Sequence, residues 1–106
     1  MVHLLSFCKL GDYMIIGSCS LDFYIYNSNS LKDKRHVVKS IIDKVRNKFN
    51  VSIAEVDQLD SWSNCTIGFV CVSNNTSHTN RVISTVLNYI EGDGRIEITN
   101  NIIEIL

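Results

Sequence analysis

From Met14 to Tyr26 apolar and polar residues alternate, with Ile15, Cys19, Leu21, Phe23 and Ile25 on one side and Ser18, Ser20, Asp22, Tyr24 and Tyr26 on the other. A period of two over this length predicts a half-buried strand. Asn27-Ser28-Asn29 then reads as a turn, and Ser30 stands three residues before Asp33. That pair is an acidic variant of the capping box, able to satisfy the free N–H groups at a helix start. The helix it opens carries Leu31, Val38, Ile41, Ile42, Val45 and Phe49 within an arc of about 100°, so one face packs inward. Val51 to Asp57 is a β-branched second strand. Cys65 to Val72 is a third, with Cys65, Ile67, Phe69 and Cys71 sharing a face. The segment from Asp57 to Asn64 gives the hairpin a loop of eight residues. Val82, Ile83, Val86, Leu87 and Ile90 mark a second helix, which Gly92 and Gly94 are placed to end. Arg95 to Leu106 supplies the last strand, and the adjacent Ile102 and Ile103 break its alternation, which suggests a bulge there.

The order β-α-β-β-α-β has one direct hairpin and two helical crossovers. Right-handed crossovers put both helices on the same side. The expected fold class is therefore α+β, ferredoxin-like, with a four-stranded antiparallel-type sheet, two helices on one face and the other face open. No internal sequence repeat or linker divides the chain.

Composition narrows the function classes. With 45% hydrophobic and 20% charged residues and a formal net charge of −1, the chain is neither disordered nor a uniformly basic nucleic-acid binder. Its charge is nonetheless uneven: seven of the ten basic residues, Lys32, Lys34, Arg35, Lys39, Lys44, Arg46 and Lys48, fall in the first helix. The four cysteines, Cys8, Cys19, Cys65 and Cys71, lack C-x-x-C spacing and read as reduced, mostly buried thiols. The opening residues lack the basic and apolar regions of a secretory signal, and no apolar run approaches the ~20 residues of a membrane span. The expectation is a cytoplasmic protein without a membrane partner.

The run Ser30-Leu31-Lys32-Asp33-Lys34-Arg35, followed by Phe49-Asn50-Val51-Ser52-Ile53-Ala54-Glu55-Val56, Trp62, Gly68 and Ser73-Asn74, resembles the bacterial YlxP-like family. The resemblance runs from Met14 to Leu106. It implies a ferredoxin-like domain, in a family whose genes often neighbour those for translation initiation and ribosome maturation. Where the family commonly carries Asp-Leu-Trp-Gln in the hairpin loop, this chain has Asp60-Ser61-Trp62-Ser63. Residues 1–13 precede the family pattern and read as an extension outside the domain, with Met14 the expected natural start.

Three features are candidates for binding. Lys32, Arg35, Lys39 and Arg46 fall within roughly 60° of helix surface, a stripe suited to phosphates. Asp43 lies beside the stripe and dilutes it, and a solvated helix face is the plainer alternative. Tyr24, outward on the first strand, is placed to stack on bases or to complete a protein interface. Trp62, in the hairpin loop, is either a partner contact or a lid over the sheet end.

No histidine neighbours a recognisable nucleophile motif, and the chain has no G-x-S-x-G, P-loop or G-x-G-x-x-G. Acylphosphatases share the fold class but hold phosphate in a Gly/Arg loop after the first strand, where this chain has Asn27-Ser28-Asn29. Asp57 and Asp60 fall short of a metal site. The reading is a non-enzymatic binding module without catalytic, cofactor or metal residues. It is an RNA- or ribosome-associated accessory factor using the first-helix stripe or, alternatively, a protein-interaction module or homo-oligomer built through the open sheet face or an edge strand.

Overall fold

A computed structural model describes residues 14–106. The expectation that residues 1–13 are an extension lies outside the described residues, as do His3 and Cys8. The elements run β1 (Ile15–Ile25), α1 (Leu31–Lys48), β2 (Ser52–Asp57), β3 (Asn64–Ser73), α2 (Thr76–Glu91) and β4 (Ile96–Ile105). The four strands form one sheet in the order β2-β3-β1-β4, and every neighbouring pair is antiparallel. This is the ferredoxin-like arrangement that the element order predicts.

Alternation decides which face is dry. Cys19, Leu21, Phe23 and Ile25 of β1 and Cys65, Ile67, Phe69 and Cys71 of β3 turn toward the helices and are buried. Val38, Ile41 and Val45 of α1 and Ile83, Val86 and Ile90 of α2 meet them. Burial of each large side chain in this layer is worth about 1.5–3 kcal/mol as an upper estimate. Helix α2 sits especially close to β1: a Cβ added at Gly17 would lie 2.6 Å from Ile83 Cδ1 and would overlap Thr79 Cγ2.

Three details differ from the sequence reading. The β2–β3 connection is six residues, 58–63: β2 ends at Asp57 as expected, and β3 begins one residue earlier than expected, at Asn64. The bulge in β4 falls at Thr99 rather than at Ile102 and Ile103. Asp22 pairs with Asn100 and Phe23 with Ile98, which leaves Thr99 unpaired while its hydroxyl donates to the Asp22 carbonyl at 3.2 Å. The extra residue switches the strand's parity. Ile96 and Ile98 before it, and Ile103 and Ile105 after it, all oppose core-facing positions of β1. Ile102 and Ile103 then alternate normally. A second bulge in β2, at Val56, has no counterpart in the sequence reading.

Candidate binding surfaces

The head of α1 is fixed by its cap. Ser30 Oγ accepts the Asp33 N–H at 3.0 Å, and Asp33 Oδ2 accepts the Asn29 N–H at 3.1 Å, so the reciprocal arm lands one residue earlier than in a standard capping box. Lys34, counted with the basic residues of the helix, points inward and is only 1% exposed. Its Nζ lies 2.9 Å from Glu55 Oε2 on β2 and donates to the Gln58 carbonyl at 2.5 Å. The Cys65 thiol donates to the same Glu55 oxygen at 3.6 Å. Burial, reinforced by the Glu55 charge and opposed by Lys34, pushes the Cys65 thiol up to about 12. Burial also raises Cys19 and Cys71. All three thiols are free and packed in the core, where burial favours the protonated form.

The signal for the buried pair was present in the sequence. Lys34 lies on the helical period of Leu31, Val38 and Ile41, and Glu55 follows Ile53 on the inward period of β2. Two opposite charges at facing core positions are mutually compensating. Gln58, with φ 59°, extends the polar chain: its amide donates to Thr66 Oγ1 at 3.0 Å, and Thr66 in turn donates to Asp22 at 2.7 Å.

The stripe residues Lys32, Arg35, Lys39 and Arg46 are all exposed on α1. Two of them have partners. Lys39 forms an i,i+4 ion pair with Asp43 at 2.9 Å, which realises the dilution expected of that carboxylate. Arg46 donates to the Ile53 carbonyl at 3.0 Å and so rests on β2, an edge strand. A shallow groove of about 420 Å³ between α1 and β2 is lined by Arg35, Lys39 and Arg46 beside Val38 and Ile42. His36 and His78 are exposed on separate helices. Arg95 is fully engaged at the α2–β4 turn, donating to both Asp93 oxygens at 2.9 and 2.6 Å and to Ser40 Oγ at 3.1 Å. Chiefly through that hydrogen bonding, Arg95 holds the Asp93 carboxyl below its ordinary range.

Tyr24 lies on the opposite side of the sheet from the stripe. It packs edge-on against Tyr26, with centroids 5.6 Å apart. Trp62 is near the same end of the sheet, where the Ile25 N–H donates to the Ser63 carbonyl at 2.7 Å and the Ser28 hydroxyl to the Trp62 carbonyl. The loop is pinned through its backbone while the indole remains 57% exposed, so Trp62 is not a lid on the core. The structure thus brings Tyr24 and Trp62 to one end of the molecule and leaves Lys39 and Arg46 on another surface.

Among the described residues, no group of three or more His, Cys, Asp or Glu side chains is placed to hold a metal ion. No helix among them is long and apolar enough to cross a membrane.

These features define a small ferredoxin-like α+β domain whose polar clusters serve structure and whose surfaces are divided by charge. Residues 16–102 match the family model described as "Protein of unknown function (DUF503)", and the chain belongs to that family. It is 39% identical over 85 residues to "Uncharacterized protein YlxP" of Bacillus subtilis (strain 168), a match that spans 80% of this chain and 92% of that protein. Among solved structures, "De novo designed protein Foldit4" aligns over 88% of this chain and 96% of its own, at 12% identity and a TM-score of 0.49.

Proposed function

We propose that this domain is a non-enzymatic, cytoplasmic accessory factor that docks on RNA, in the setting of the ribosome, through the exposed surface of α1. The observation that carries this reading is the segregation of charge. Helix α1 holds seven cations and two carboxylates, whereas the rest of the described chain holds eight carboxylates and two cations. A polyanion approaching such a molecule is steered to one helix, and each phosphate contact releases condensed counterions. Lys32 and Arg35, near the head of α1, are the leading contacts, followed by Arg46 from its seat on β2. Lys39 contributes less because Asp43 neutralises it. Backbone contacts of this kind position a protein without reading sequence.

The test is binding of single-stranded and duplex RNA across a salt series, comparing the natural chain with Lys32→Gln, Arg35→Gln, Lys39→Gln and Arg46→Gln combined. The natural chain is expected to lose affinity with a log–log slope of about −0.7 per contacting cation on single strands, and the variant to lose most of that slope. Equal affinity and equal slope for both proteins would remove α1 from the RNA reading.

A further inference from the structure

We propose that the open face of the sheet is a docking surface for a basic amphipathic protein segment, a site separate from α1 and independent of the RNA reading.

Strand register places Asp22 of β1, Asp57 of β2, and Glu97 and Glu104 of β4 on this face, and among the described strand residues no cation shares it. Exposed apolar side chains stand between these carboxylates. Val56 and Ile102 are each 56% exposed and Val72 64%, with Val70 also exposed. The centre is hollow. Ser18, Ser20 and Gly68 form the floor of a depression of about 360 Å³, rimmed by Val56, Val70, Ile102 and Glu104. A floor of small residues inside an apolar rim accepts a protruding apolar side chain, and the surrounding carboxylates favour cations beside it.

The same charges select among occupants. RNA would bring phosphates against four carboxylates, so Tyr24 is poorly placed to stack on bases. Two copies meeting through this face would oppose one carboxylate set with another, which disfavours a symmetric dimer. A helix or strand with Lys or Arg flanking Leu, Ile or Val meets neither obstacle, and complementary charge also speeds its encounter.

The experiment titrates the full ¹⁵N-labelled chain with a synthetic amphipathic Leu/Lys helix and, separately, with a Leu/Glu helix of the same pattern. The Leu/Lys helix is expected to shift the amides of Ser18, Ser20, Gly68 and Val70, and the Leu/Glu helix to leave them unmoved. Two variants separate shape from charge. Gly68→Val fills the floor, since a Cβ there meets only Val56 at 3.4 Å and 3.7 Å, and Glu97→Gln with Glu104→Gln removes charge from an exposed strand. Each is expected to weaken the Leu/Lys helix by about fivefold or more while the unbound spectrum stays folded. Equal binding of both helices, shifts confined to α1, or sheet-face shifts that appear on concentrating the protein alone would each overturn the proposal, the last by assigning the face to a second copy. RNA titrated into the same sample and shifting the sheet face would overturn it as well, whereas RNA shifts on α1 bear only on the RNA reading.

Discussion

The two helices lie on the same sheet face in equivalent strand-helix-strand units, yet they are fastened in different ways. Helix α2 is seated by close approach: Gly17 gives up its side chain so that Thr79 and Ile83 can press onto β1. Its N-cap Asn75 accepts the His78 N–H at 2.8 Å, and its outer surface carries one cation, Arg81. Helix α1 packs apolar residues too, but its head is tied to the β2 edge by a buried ion pair and its tail by Arg46 on the Ile53 carbonyl. The difference teaches that a helix held by side chains reaching sideways can leave its outward surface to other uses. Helix α2 is committed to the core, whereas α1 is anchored at both ends and displays charge between them.

The comparison is broken most strongly at the anchor of α1. Lys34→Ala would leave Glu55, itself only 19% exposed, without its cation in a site built for a pair. A loss of about 3 kcal/mol is expected in chemical denaturation, and much of it should be recovered in the double variant with Glu55→Ala. Should the single and double variants prove equally stable to the natural chain, the ion pair is not what holds α1.

Next comes the seat of α2. Gly17→Val inserts three carbons where one already overlaps Thr79, with an expected cost of about 2 kcal/mol read by the same method. Thr79→Ser combined with Ile83→Val should restore part of it; no recovery would place the strain elsewhere.

The smallest effect sharpens the functional half of the comparison. Asp43→Asn releases Lys39 from an exposed pair, so stability should change by no more than about 0.5 kcal/mol while RNA affinity rises and its salt dependence steepens. Unchanged affinity would mean that Lys39 stands outside the contact.

Much of this architecture is legible in one sequence because period and capping are local properties. The alternation of β1, the Ser30–Asp33 cap and the apolar arc of α1 all reappear in the structure. What was hidden depends on pairing. Thr99 is a bulge only because Asp22 and Phe23 select Asn100 and Ile98 as partners, a register that the doubled isoleucine downstream does not reveal. Lys34 stands on the apolar period of α1, but only the packing of α1 against β2 brings Glu55 opposite it. The acidic character of the open face was equally hidden, since Asp22, Asp57, Glu97 and Glu104 are scattered over three strands and only register gathers them. The stripe on α1 was visible in advance; its separation from Tyr24 and Trp62 was not.

The bulge at Thr99 has a bearing on both faces of the sheet. Among the described residues, strand β4 is an edge of the sheet, with one neighbour, β1. Removing one residue at this point would flip the distal half of the strand, turning Ile103 and Ile105 outward and drawing Glu104 toward the core. A single unpaired threonine thus decides which isoleucines this strand turns toward the helices and which toward the open face.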